Sequence, residues 1–249
     1  MKRPPQERNR TGMALSPKHA KELVEGASHT VPSMAGDEKA IASVRASYTS
    51  DGDSIGSIPP PATLAGVAAG ALRATTGAHL GVLLDKVGER LAFERTGTRL
   101  YDALISKADA GTSPGGPTRA VLARFRDQEH QHSLMLQDVM VALGGDPTAL
   151  TPSADVSAVL SMGVPQVLLD ARTDFGQCLE AMLLAELADH DGWELLIDLS
   201  RALGEDDLAA RFTRALEEEE QHLSEVRRWV KQSTLARAGR PRAAEEVTR

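Results

Sequence analysis

Four stretches of this chain, at about residues 78–108, 118–143, 173–203 and 206–233, repeat their apolar side chains at the helical period. The first puts Leu80, Leu84, Val87, Leu91, Thr98, Tyr101 and Ile105 on one face. The second uses Leu122, Phe125, Leu136, Val139 and Leu143; the third, Phe175, Leu179, Met182, Trp193, Leu196 and Ser200; the fourth, Leu208, Phe212, Leu216, Val226 and Trp229. Rods of that length must bury their stripes against one another, so the sequence predicts an all-α fold built on a four-helix bundle.

The connections restrict how the rods are joined. The first and second segments, and the third and fourth, are linked by short polar turns containing Gly, which makes each pair an antiparallel hairpin. Between the second and third the chain runs from Gly144 to Arg172, opened by Gly144-Gly145-Asp146-Pro147 and holding at most a short helix around Val156 to Met162. A link of that length predicts a crossover from one end of the bundle to the other. Residues 1–61 read as an N-terminal arm, laid on the bundle or partly disordered. Within it Pro17 to Ala27 is the best helical stretch, with Ser16 as its cap, and Pro59-Pro60-Pro61 cannot be helical. Residues 62–76 read as a short accessory helix with Gly66-x-x-x-Gly70, residues 77–233 as the bundle, and residues 234–249 as a basic disordered tail.

Composition excludes several classes of function. Hydrophobic residues at 41% and charged residues at 25% describe an ordinary globular chain, and 3% aromatics with few β-branched runs disfavour sheet. The net charge is −7 and both ends are basic, so the body between them is more acidic still, which argues against a nucleic-acid partner. The longest uncharged apolar run, Ala62 to Leu72, falls far short of the ~20 residues a membrane span needs. No apolar stretch follows the basic first ten residues, and the single cysteine, Cys178, forms no intrachain disulfide framework. The expectation is a soluble cytoplasmic protein with no membrane partner.

The informative residues are those that interrupt the stripes. Glu94 takes the central place in the first, Glu129 and His132 in the second, Glu186 in the third, and Glu219 and His222 in the fourth. Burying one carboxylate unpaired costs several kcal/mol, and four would exceed the ~5–15 kcal/mol that stabilises a whole domain. Two divalent cations compensate four glutamates, and two neutral imidazoles complete the donor set. The i, i+3 spacing of Glu129-x-x-His132 and Glu219-x-x-His222 places each pair on one helix face, within reach of one ion. The chain also repeats itself: Leu91-Ala92-Phe93-Glu94 matches Leu183-Leu184-Ala185-Glu186, Tyr101 matches Trp193, and Glu129-His130-Gln131-His132 matches Glu219-Glu220-Gln221-His222.

From about Gly77 to Lys231 the chain resembles the ferritin-like superfamily of carboxylate-bridged di-metal proteins, near rubrerythrin and bacterioferritin in spacing. The resemblance implies two iron ions, with manganese as the other candidate. Glu129 and Glu219 would bridge them, while Glu94 with His132 and Glu186 with His222 would be terminal ligands. Asp189, three residues after Glu186, is either a seventh, exchangeable ligand or a surface residue. Its counterpart Gly97 either opens a route to the metals or, the safer reading, permits close helix packing. Tyr101 and Trp193 read as core aromatics, with hydrogen bonding to ligands or electron relay as the alternative. His130 and His190 should face solvent, and of Glu217 to Glu220 only Glu219 should face inward.

The implied function is a redox enzyme activating O2 or peroxide with an electron donor the sequence does not identify. Its alternatives are an iron-binding or iron-handling protein with ferroxidase activity and a structural bundle with a vestigial site. Superfamily habit adds a homodimer. The chain departs from the pattern it resembles in lacking a Cys-x-x-Cys rubredoxin module and a fifth amphipathic helix, and in carrying the arm.

Overall fold

The computed structural model describes residues 17–29, 37–52, 55, 80–111 and 116–239, which form eight helices and, among the described residues, no strand. The predicted accessory helix at 62–76, Ser16, the Pro59-Pro60-Pro61 triplet and residues 240–249 lie outside the described residues. The chain divides into two compact units, residues 1–53 and 54–249. In the first, α1 (Pro17–His29) extends the helix expected at Pro17 to Ala27. A second helix, α2 (Glu38–Asp51), was not expected, because Ser43, Ser47, Thr49 and Ser50 dilute its apolar period. Asp37 starts it, accepting hydrogen bonds from the Lys39 and Ala40 N–H groups.

The second unit holds α3 (Leu80–Ala110), α4 (Arg119–Ala142), α5 (Pro152–Ser161), α6 (Gly163–Leu169), α7 (Phe175–Ala202) and α8 (Asp206–Arg237). Its four long helices follow the four periodic stretches to within a few residues. Local chemistry sets their ends. The Thr118 hydroxyl accepts from Val121 N–H at the start of α4, and Asp174 with Gln177 forms a reciprocal capping box on α7. Gly144 and Gly204 stand at φ 89° and 76° just past α4 and α7, a conformation that favours glycine. At the far end α8 runs four residues past the expected boundary, and Arg237 reaches Glu180 at 2.9 Å.

Contacts between long helices give their directions. Asp109 pairs with Arg119 and Tyr101 packs on Phe125, so α3 and α4 run oppositely. Trp193 packs on Phe212, while Gly176 lies against Ser233 and Arg237, so α7 and α8 do the same. Arg90 reaches Asp189 and Tyr101 reaches Glu186, which sets α3 against α7. Phe125 meets Trp229 and His132 meets Glu218, which sets α4 against α8. By these directions α4 and α7 point the same way, and the chain between them must travel the length of the bundle.

That crossover is more helical than expected, since α5 and α6 occupy most of it. The α5 start is pinned to α3: Ser153 donates from both N–H and hydroxyl to the Asp85 carboxylate, and the Thr151 hydroxyl donates to Asp85 O. Gly88 accommodates this seat, because a Cβ there would stand 2.3 Å from Thr151 Cγ2. Near the other end, Lys107 Nζ on α3 donates to the Thr173 carbonyl at 3.0 Å.

The core is split in two. One apolar cluster gathers Leu104, Leu122, Phe125, Leu179, Met182 and Trp229; the other gathers Leu83, Leu136, Met140, Trp193, Leu196 and Phe212. Among the described residues no helix is long and apolar enough to cross a membrane. Leu136→Ala should cost about 2–5 kcal/mol in urea unfolding, since Leu136 is fully buried, whereas Asp174→Ala should cost only ~1 kcal/mol by removing a cap.

Candidate metal centre

Between the two apolar clusters lies a polar layer formed by the residues that interrupt the sequence stripes. Glu94, Glu129, His132, Glu186, Glu219 and His222 are all at most 5% exposed. Asp189 belongs with them at 2%, so it is not a surface residue. Donor atoms of Glu129, Glu186, Glu219 and His222 lie within 4.8 Å of one another. The same holds for Glu94, His132 and Glu219, and for Glu94, Glu129, Asp189 and Glu219. All seven predicted residues therefore meet in one place.

Glu219 occupies the middle. Its Oε1 is 2.8 Å from His132 Nδ1 and its Oε2 is 3.0 Å from His222 Nδ1, so one carboxylate spans both rings. Glu94 Oε2 stands 3.5 Å from His132 Nδ1, while Glu129 Oε1 and Glu186 Oε2 stand 3.3 and 4.0 Å from His222 Nδ1. Two donor groups result, one around Glu94 and His132 and the other around Glu186 and His222, with Glu129 and Glu219 common to both sides.

Each ring turns Nδ1 inward because its other nitrogen is held from outside. His132 Nε2 donates to Glu218 Oε2 at 2.9 Å, and His222 Nε2 donates to Gln128 Oε1 at 3.0 Å. Glu218 and Gln128 each precede a cluster glutamate by one residue, so the reciprocal pairing follows the internal repeat. Glu219 is the one buried member of the Glu217–Glu220 run, as expected, but the half-exposed Glu218 also takes part, by reaching His132 from the solvent side. The expected solvent exposure holds for His130, whereas His190 is half-buried beside the surface acids Asp191 and Glu194.

Four further positions shape the layer. Tyr101, fully buried, donates its hydroxyl to Glu186 Oε1 at 2.6 Å, so it binds a cluster carboxylate rather than serving only as core filler. Trp193 packs edge-on to His132 with ring centroids 5.6 Å apart. Gly97 has a role beyond helix packing: a Cβ there would lie 2.1 Å from Glu129 Oε2, so its missing side chain houses that carboxylate. Arg90, buried on α3, places Nη1 2.7 Å from Asp189 Oδ1 and Nε 3.9 Å from Glu94 Oε1. Nothing in the sequence reading singled out Arg90; its position one turn before Glu94 on the same face was the available signal.

The donor set fits divalent cations. Both oxygens of Glu94, Oε2 of Glu129, Oε2 of Glu186 and Oδ2 of Asp189 are buried without a hydrogen-bond partner, and the two Glu219 oxygens meet only the histidine Nδ1 atoms. Polar atoms left so are costly unless something of opposite charge stands among them. No family model matches the chain, and neither curated proteins nor solved structures show a match.

Without cations the layer resists ionisation. Burial, then the charges of Glu219, Glu94 and Asp189, push Glu129 well up, and burial with the charges of Glu219 and Glu94 does the same to Asp189 against the pull of Arg90. Burial lifts Glu186 to about 7, opposed by His222. Burial disfavours a charged His132, but Glu219 and Glu94 outweigh it and push the ring up to about 10. Glu219 goes the other way: despite burial, the two histidines hold it well below the usual carboxylate range.

The folded chain thus holds protons on Glu186 and His132 that the unfolded chain releases at lower pH. Their stabilising contribution is complete below the unfolded values and disappears as pH rises through about 7 and about 10. Melting of chelator-treated protein should accordingly move to lower temperature from about pH 5.5 to about pH 9, while the increment on adding divalent metal grows over the same range. A flat profile without metal would contradict the picture. Gly97→Ala should weaken metal binding at least about tenfold by displacing Glu129, measured by metal titration.

Proposed function

We propose that this chain is a ferritin-like di-metal carboxylate protein, and that it works as a redox enzyme on O2 or peroxide. The observation that carries the reading is the span of Glu219 across two inward-facing histidines, inside a layer of carboxylates contributed by all four long helices. The helix directions and long crossover support a ferritin-like connectivity. When bound, a pair of iron ions, or of manganese, supplies two electrons to O2 or peroxide.

The chain's own groups do the rest. Glu94 and His132 would hold one ion, Glu186 and His222 the other, with Glu129 and Glu219 shared. The outer partners Glu218 and Gln128 keep the imidazoles oriented with Nδ1 free for coordination. Tyr101 holds a proton 2.6 Å from Glu186; burial and the neighbouring Glu186 and Glu129 charges keep the phenol protonated well above its usual range. The two apolar clusters exclude bulk water from the layer, which strengthens each charge interaction within it.

Elemental analysis of the purified protein should return two metal ions per chain, with an optical spectrum that differs between aerobic and anaerobic samples. Glu129→Ala and Glu219→Ala should lose metal and activity together, whereas Tyr101→Phe should keep the metal and lose less activity. Steady peroxide consumption with an added electron donor distinguishes an enzyme from an iron-handling protein, which would take up iron once without turnover. Protein that binds no divalent metal under any of these conditions would sink the proposal.

A further inference from the structure

We infer that Arg90 is a positioning residue that holds Asp189 back from one of the two metal positions and so makes them inequivalent. The inference rests on the di-metal reading above. It starts from a break in the internal repeat: with Glu94 matched to Glu186, Arg90 falls opposite Met182 and Asp189 opposite Gly97. The surplus carboxylate and the buried guanidinium both belong to the side of the layer that holds Glu94 and His132.

Charge explains why they come together. Four glutamates are neutralised by two divalent ions, and Asp189 adds a fifth negative charge that those ions leave uncompensated. Arg90 supplies the matching cation. Its Nη1 lies 2.7 Å from Asp189 Oδ1 and donates to the Asp189 carbonyl at 2.9 Å and the Ala188 carbonyl at 3.4 Å, which fastens it to α7. The guanidinium lies over the Phe93 ring, 4.2 Å from its centroid. Gly192 makes room for it, since a Cβ there would stand 2.2 Å from Nη1.

Asp189 is meanwhile close enough to Glu94, Glu129 and Glu219 to share an ion with them. It therefore has two competing partners, the guanidinium and the cation beside Glu94. Arg90 acts on metal binding in two ways: it occupies Asp189, and it places a like charge beside the nearer ion through Nε, 3.9 Å from Glu94 Oε1 and without a hydrogen-bond partner. The position around Glu186 and His222 has neither feature.

Cobalt(II) titration of the full chain, followed by calorimetry and visible absorption, tests this. Wild type should bind two Co²⁺ in two resolved steps. Arg90→Met, which installs the residue found at Met182, should tighten one step by at least about tenfold and alter its absorption band as Asp189 joins the coordination shell. Asp189→Asn should weaken the same step by about tenfold, and the double variant should return to within about threefold of wild type. Gly192→Ala keeps the charge but displaces the guanidinium, and should shift that step in the Arg90→Met direction; it stands in if Arg90→Met does not fold. Two Co²⁺ bound by wild type with both steps unchanged or weakened in Arg90→Met and Gly192→Ala would overturn the role of Arg90 alone. Wild type that binds fewer than two would overturn the di-metal reading and this inference with it.

Discussion

The constraint that organises this molecule is the electrostatic cost of gathering five carboxylates in the dry middle of a helical bundle. No one helix creates the problem, because each contributes only one or two acids. The bundle creates it when the helices pack, and the surrounding features are responses to it. The histidines stand where Glu219 can reach both, Gly97 gives up its side chain to Glu129, Tyr101 donates to Glu186, and Arg90 neutralises Asp189. Apolar packing above and below supplies the stability that allows so polar a layer to persist.

The layer repeats itself imperfectly, and its differences matter as much as its symmetry. Both histidines are oriented from outside by a residue one position before a glutamate of the facing helix, but one such residue is the carboxylate Glu218 and the other the amide Gln128. Tyr101 and Trp193, equivalent by the repeat, diverge likewise: one donates to a carboxylate, while the other presents its ring to an imidazole.

Much of this was legible in the sequence, for a physical reason. Charged residues placed centrally on long apolar stripes cannot be ignored, so Glu94, Glu129, His132, Glu186, Glu219 and His222 stood out, and the stripes located the four long helices. What was not legible depended on which helices become neighbours. Arg90 looks like any helical arginine until α7 brings Asp189 to it, and Gly97 looks like a packing glycine until α4 points Glu129 at it. Glu218 was hidden in a run of four glutamates. The crossover helices α5 and α6 are short and seated by Asp85 and Lys107 on another element, so their period alone under-reported them.

The division of the apolar interior has a mechanical consequence. Every long helix threads the polar layer once, carrying side chains of both oily compartments on one continuous backbone, so neither compartment can come apart without tugging on the other through the charged waist.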